Sequence, residues 1–151
     1  MQKISLLLAV TLFAVSCGSS SSGNHMAFVS DRDGDREIFV MNVDGTEVRQ
    51  LTNNDDENYG PVWSPDGNHM AFHSGRFPDD EIFVMNADGT EVRQLTNNDD
   101  DQDRWPAWSP DGNQITFVSD RYGDDEIFVM NADGTNLYST AQKGDNPDWG
   151  G

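Results

Sequence analysis

The chain has 151 residues, enough for one domain of ordinary size, and its 27 acidic residues stand against nine Lys and Arg, for a net charge of −18. A surface this acidic repels nucleic acids and anionic lipids, and it suits basic proteins, basic peptides or divalent cations. High charge also fits a disordered chain, but here apolar and aromatic segments recur at a regular interval, which indicates a folded one.

The N-terminal residues have the order of a secretory signal peptide. A lysine near the start precedes an apolar run that ends at Val15 and is shorter than the about 20 residues that a membrane-spanning helix needs. The stretch AVSC at 14–17 resembles the lipobox of bacterial lipoproteins, in which the cysteine receives the lipid, and Cys17 is the only cysteine. We therefore predict a lipoprotein-type signal peptide at 1–16 and a serine-rich tether at 17–23, with an ordinary signal beside a free cysteine as the alternative.

This leader predicts an exported protein, periplasmic or at the cell surface, that meets the membrane through a lipid on Cys17 and in no other way. Gly18 does not look like the inner-membrane retention signal of lipoproteins. In a cell with two membranes, we therefore predict anchoring to the outer membrane.

From residue 24 onward the sequence repeats itself. The ten residues EIFVMNADGT stand at 81–90 and again at 126–135, and they stand with one change at 37–46. Gly–Asn pairs mark the same position in each unit and are separated by 44 and then 45 positions. A repeat of this length is typical of an array of equal structural modules.

Each unit is predicted to form four short strands, because turn residues interrupt the apolar segments every few positions. The first unit has no Pro-x-Trp strand of its own, and a strand at Pro147–Trp149 would bring the total to twelve. The predicted strands are Pro-x-Trp at 61–64 and 106–109, a second strand at 25–30, 69–74 and 115–119, EIFVMN in each unit, and a fourth strand in each unit, at 48–52 and 92–96 in the first two.

The EIFVMN strand indicates how the units pack. Ile38 and Val40 point to one side of it and Phe39 and Met41 to the other, so both faces must be covered. Four strands, a period near 44 residues and two buried faces predict an all-β fold of three four-stranded β-propeller blades at 24–151. The alternative is a β-sandwich, which would expose polar residues on its outer faces and has no reason to repeat so closely.

The repeated WSPDGN, SDR, EIFVMNADGT and RQLT segments resemble the WD-like propeller repeat of TolB-type proteins over residues 24–149. The resemblance implies a periplasmic propeller of six blades that is used for protein contacts. Three blades would be half of such a propeller and would expose apolar end faces. We therefore predict a head-to-tail homodimer in which residues 147–149 of each chain complete the first blade of the other. The alternative is a truncated or duplicated fragment without independent function.

Candidate contact residues lie where the units differ, because repeated residues serve the blades themselves. Tyr59, Arg104, Trp105 and Tyr122 occupy loop segments that are not repeated, and their side chains are of the types that dominate binding interfaces. They are the predicted partner-binding residues, and a basic protein or peptide of the cell envelope is the predicted partner.

Asp31, Asp33 and Asp35 alternate along one turn and form a weak candidate Ca²⁺ site. The second unit loses this pattern, so an acidic hairpin turn is the favoured interpretation and no cofactor is predicted. No nucleophile motif is present either. The predicted function is therefore a non-catalytic, lipid-anchored scaffold that binds a protein, peptide or envelope component. The alternative is a cation-dependent carbohydrate- or ligand-binding module, or a lyase of propeller type.

Overall fold

The computed structural model describes residues 25–32, 34–76, 79–98 and 101–150, without the side chain of Arg76. These residues form eleven short β-strands and no helix. In chain order the strands are β1 (His25–Ser30), β2 (Glu37–Asn42), β3 (Arg49–Gln50), β4 (Glu57–Trp63), β5 (His69–Arg76), β6 (Asp79–Asn86), β7 (Arg93–Gln94), β8 (Asp103–Trp108), β9 (Gln114–Ser119), β10 (Glu126–Asn131) and β11 (Tyr138–Lys143).

The strands form three antiparallel sheets that follow the sequence repeat. The first has the order β1-β2-β3, the second β4-β5-β6-β7 and the third β8-β9-β10-β11. In each repeat, a phenylalanine of the second strand lies opposite a phenylalanine of the third strand. The ring centroids are 5.7 Å apart in Phe28–Phe39, 5.5 Å in Phe72–Phe83 and 5.8 Å in Phe117–Phe128. The predicted all-β fold of propeller blades is confirmed.

Two apolar cores lie between successive sheets. Ile82 and Val84 of β6 join a cluster with Ile115 of the third sheet, and Met85 of the same strand belongs to a second cluster with Ile38 of the first sheet. All five side chains are at most 1% exposed. The prediction that both faces of the EIFVMN strand are covered is therefore correct for the middle blade, whose neighbours lie on both sides.

The Asp–Gly turns between the third and fourth strands of the second and third blades lie close against the preceding blade. Gly89 has φ +88°, and a Cβ atom on it would lie 2.9 Å from the carbonyl oxygen of Leu51 in the preceding unit. Glycine is required there both for the left-handed backbone and for the close approach.

The structure differs from the predicted strands at the chain's far end. Residues 147–149 form no strand among the described residues, because no neighbouring strand pairs with them. We call the first strand of a four-stranded sheet its innermost strand. The innermost strands β4 and β8 begin before the predicted Pro-x-Trp segments, at Glu57 and Asp103, whereas the fourth strands β3 and β7 are only two residues long.

The predicted signal peptide at 1–16, the tether at 17–23 and the lipidation residue Cys17 lie outside the described residues. Within the part of the chain that is described, no helix is long and apolar enough to cross a membrane.

Candidate binding site at the strand bulges

Two β-bulges shape the start of the innermost strands. The pairing of β4 with β5 shifts register just after Tyr59, and that of β8 with β9 shifts just after Arg104. The next residue in each strand has a left-handed backbone, with φ 56° at Gly60 and 57° at Trp105. Glycine adopts this conformation freely, whereas a tryptophan there is strained. Bulges of this kind redirect side chains and occur next to functional sites.

The bulge in β8 brings Trp105 against the preceding blade. Its ring meets the imidazole of His73 edge-on, with ring centroids 5.0 Å apart, and Tyr59 stacks on the same imidazole at 5.4 Å and 14°. We call Tyr59, His73 and Trp105 the aromatic cluster. Trp105 remains 42% exposed, so the cluster presents part of its indole ring to solvent.

His73 lies at the centre of the cluster and is only 3% exposed. Its Nδ1 atom is buried and has no hydrogen-bond partner among the described residues. Burial, with a smaller contribution from the positive charge of Arg104, lowers the pKa of His73 to about 4. The ring is therefore neutral at pH 7. His73 was not among the predicted contact residues, although it differs from Val29 and Val118 at the same position of the other units.

Two arginines flank the cluster. Arg36 donates a hydrogen bond to the phenol oxygen of Tyr59 at 2.8 Å, and that phenol donates to Glu57 at 2.9 Å. Arg104 lies 3.2 Å from a carboxylate oxygen of Asp125 and retains partial exposure. Its Nε atom is buried without an acceptor among the described residues. The site thus combines an exposed indole with guanidinium and carboxylate groups, a set of side chains that can hold an amphipathic or charged partner.

A buried carboxylate precedes the bulge in each of the first two units. Glu37 accepts hydrogen bonds from the Thr52 hydroxyl at 2.5 Å, the Asn54 backbone at 2.8 Å and the Asn58 side chain at 2.8 Å. Every contact comes from the connection to the next blade or from its innermost strand, so this carboxylate ties successive blades together.

The second unit alters the same carboxylate site. Glu81 again accepts hydrogen bonds from Thr96 and the Asn98 backbone, but Asp103 takes the place of Asn58. Burial raises the pKa of Glu81 to about 7, the two hydrogen bonds oppose this, and the charge of Asp103 adds to it. Arg121 compensates Asp103 by contacting both carboxylate oxygens, at 3.0 and 2.8 Å.

The structure brings together three of the four predicted contact residues, since Tyr59 and Trp105 share the aromatic cluster and Arg104 acts on its histidine. Tyr122 lies apart from them. It is 69% exposed and packs on Phe128, with ring centroids 5.7 Å apart.

The weak Ca²⁺ candidates give no metal site in the described residues. Asp33 lies outside them, and no group of three His, Cys, Asp or Glu side chains elsewhere in the described chain could hold a metal ion.

Comparison with known proteins identifies the repeat. A family profile described as TolB beta propeller domain matches residues 9–99 and 56–149. The chain is also similar to a solved structure described as TolB from Agrobacterium tumefaciens, with 29% identity and a TM-score of 0.73 over 85% of this chain and 51% of that one. The chain therefore spans about half the length of that relative.

Peptidases also contain similar segments. A stretch of 51 residues is 45% identical to an uncharacterized peptidase of Bacillus subtilis, YuxL, and covers 31% of this chain but 7% of that protein. A puromycin-hydrolyzing peptidase of Mycobacterium tuberculosis shares the fold at a TM-score of 0.66, with 20% identity over 76% of this chain and 20% of that one.

Proposed function

Because the chain belongs to the TolB beta-propeller family, we propose that it is a binding module of the cell envelope that holds a protein or peptide and catalyses no reaction. Its binding surface is the aromatic cluster with the flanking Arg104. A second copy of the chain is the other partner that we propose, because the first described sheet has three strands where the other two have four.

The observation that carries the binding role is the conformation of Trp105. The equivalent position in the preceding unit is Gly60, which has nearly the same φ without strain. A tryptophan at this position costs on the order of 1–3 kcal/mol of backbone strain and leaves a large apolar ring partly in water. The contact with His73 offsets part of this cost, and a partner that covers the exposed part of the ring would offset more of it.

The charge of the chain supports a basic partner. With a net charge of −18, the chain attracts cationic proteins and peptides from a distance, and Glu57 and Asp125 place carboxylates beside the aromatic cluster. A lysine or arginine of the partner could approach these carboxylates while an apolar side chain covers Trp105. Such an association weakens as salt is added, because the charged groups at the rim of the site are screened.

Export and lipidation of Cys17 belong to the same proposal and rest on the leader sequence. The binding role, rather than hydrolysis, is assigned because the resemblance to the Bacillus peptidase covers 7% of that protein. The similarity to the TolB-type relative, by contrast, covers 85% of this chain.

Site-directed photo-crosslinking tests the binding surface. A photoreactive phenylalanine analogue replaces Trp105 in one protein and Tyr138 in a matched control. Tyr138 is an aromatic residue of similar exposure, 52% against 42%, but lies on the outer strand β11. Both proteins are irradiated in their native envelope fraction, and we expect a discrete adduct at position 105 that is absent at 138 and weakens at high salt.

The identified adduct then provides a binding assay for unmodified variants. Trp105→Gly introduces the residue of the preceding unit and should relieve strain, so the variant should stay folded while its affinity falls by about 30-fold or more, the loss that a hot-spot residue produces. Tyr138→Ala should leave the affinity unchanged. Equal adducts at the two positions, or a Trp105→Gly variant that binds as well as the parent, would contradict the proposal.

A further inference from the structure

The first sheet has an open edge where the other sheets have a fourth strand. β5 and β9 pair on one side with β4 and β8, but β1 has no neighbour on that side among the described residues. The side chains of β1 show the consequence. Met26 is 40% exposed, whereas Met70 and Ile115 at the same position of the other units are 0% exposed. An apolar strand with unpaired backbone groups on its edge is a ready site for another strand.

A chain of indole hydrogen bonds marks the same gap. Trp108 donates from Nε1 to the carbonyl oxygen of Val62 in the preceding blade at 3.2 Å, and Trp149 donates in the same way to Ala107 at 3.3 Å. The Nε1 of Trp63, at the equivalent position, is buried and has no acceptor among the described residues. A buried donor without an acceptor costs about 1–3 kcal/mol, so Trp63 lacks the carbonyl of one more innermost strand.

The far end of the chain has the conformation of that missing strand. Asn146 has φ 48°, close to the values of Gly60 and Trp105, and like them it precedes a proline. Trp149 then packs back onto the third blade as Trp108 packs onto the second. Residues 146–149 therefore follow the course of an innermost strand, with its bulge residue and its tryptophan, but no described strand pairs with them.

We propose that a second copy of this chain fills both gaps, so that residues 146–149 of each chain become the innermost strand of the other chain's first sheet. In the second sheet Val62 and Trp63 face Ala71 and Met70, and the same register would place Asp148 opposite Ala27 and Trp149 opposite Met26 of the second chain. The carbonyl oxygen of Asp148 would then accept the hydrogen bond of Trp63 across the junction.

Two such junctions close a ring of six blades by a twofold rotation. In the described part of the chain, the first sheet has an unpaired strand edge and Trp63 has an unsatisfied donor, whereas residues 146–149 have no sheet, so two copies can satisfy these groups mutually. The two chains repel each other at long range, each with a net charge of −18. The association therefore depends on buried apolar contacts and backbone hydrogen bonds, and added salt should strengthen it by screening the repulsion.

The inference rests on the pairing of two chains included in the proposed function, but it does not depend on the aromatic cluster. Its salt dependence is opposite in sign to that of partner capture at Trp105, so the two can fail separately.

Disulfide trapping between mixed chains tests the register. In full chains that carry Cys17→Ser, one protein receives Ala27→Cys and the other Asp148→Cys. Residues directly opposite each other on paired strands bring their Cβ atoms to about 4.5–5.5 Å, close enough for a disulfide after a small adjustment. We expect a covalent dimer when the two proteins are mixed and oxidised, and single chains when each is oxidised alone. A mismatched pair, Ser30→Cys with Asp148→Cys, serves as the control.

Light scattering of the full chain in mild detergent, on the Cys17→Ser protein, should independently give twice the mass of one 16.8 kDa chain after correction for detergent. A single-chain mass, or a disulfide formed within one chain that carries both Ala27→Cys and Asp148→Cys, would overturn the inference. A ladder of larger oligomers would overturn the closed ring and indicate an open head-to-tail array. Equal trapping in the mismatched pair would refute the register.

Discussion

Replacement of His73 by valine should change how the stability of the protein depends on pH. Valine stands at the same position in the other two units, as Val29 and Val118, so the blade accommodates it. Burial among Tyr59 and Trp105, near the charge of Arg104, lowers the pKa of His73 to about 4 in the folded state, against an ordinary value of 6.5. The unfolded chain therefore binds a proton at a higher pH than the folded protein does.

The sign of the effect follows from this difference. Between pH 6.5 and 4 protonation of the histidine favours the unfolded state, so its contribution destabilises the native protein increasingly as the pH falls. From the two pKa values, protonation of His73 lowers the unfolding free energy of the parent by about 2 kcal/mol at pH 5 and has no effect on it above pH 8. Loss of the ring contacts, on the order of 1 kcal/mol each, and removal of the unpaired Nδ1 are independent of pH and largely offset each other.

The assay is urea unfolding of the parent and of His73→Val, followed by tryptophan fluorescence at equal protein concentration from pH 5 to pH 9. Equal concentration is needed because an associating protein gains apparent stability with concentration. We expect the difference in unfolding free energy to be constant above pH 8 and to move in favour of the variant by about 2 kcal/mol at pH 5. A difference that stays constant over the whole range would show that the imidazole is not held neutral by burial.

Three further predictions concern other features of the chain. The folded pKa of Glu81, about 7, lies above the ordinary 4.5, so protonation of this carboxyl stabilises the folded parent at pH 5 and this stabilisation is lost as the pH rises to 8. Glu81→Gln should therefore gain stability relative to the parent over that range, by about 2 kcal/mol in the same urea assay. A constant difference would contradict the raised pKa. Gly89→Ala should lower the unfolding free energy by about 1–3 kcal/mol, since φ is +88° and the new Cβ would meet the Leu51 carbonyl, whereas Gly45→Ala, with a similar φ but nothing within 4 Å, should cost less; equal losses would refute the inter-blade contact. Cys17→Ser should abolish incorporation of a labelled fatty acid in cells, and labelling that persists would exclude this cysteine as the lipid acceptor.

The repeated residues allowed the blades to be predicted from the sequence, because equal segments must form equal structures. Met70 and Ile115 occupy corresponding strand positions, and both are fully buried. The Asp–Gly turns likewise indicate which residues of the third and fourth strands face each other, because a tight turn fixes the register of a hairpin. The strand at 147–149 could not be settled by this route, because a strand needs a neighbour and the sequence does not say where that neighbour comes from.

The bulges and the buried histidine were not predictable from the alternation of apolar and polar residues along the strands. A bulge inserts one residue into a strand and interrupts the period of two on which strand prediction depends. Gly60 gives a hint, because glycine before a proline tolerates a left-handed backbone, but Trp105 gives none. His73 has the polarity of a surface residue, and its burial follows from rings contributed by two different blades, a tertiary contact that no local pattern encodes.

The differences between nearly identical units provide the strongest argument for a dedicated site. Residues 24–56 and 68–100 agree at 27 of 33 positions, so most of each unit is kept for the blade itself. Yet the few substitutions that matter at the bulges occur together. Tyr59 and Gly60 in the second unit correspond to Arg104 and Trp105 in the third. His73 stands where the other units have valine, and its ring lies between those of Tyr59 and Trp105. Substitutions without a common role would be scattered over the blades. Here they meet where β4, β5 and β8 join. Trp105 packs on His73 there, but its backbone is strained and its ring stays partly in water, and the partner surface proposed above would account for that exposure.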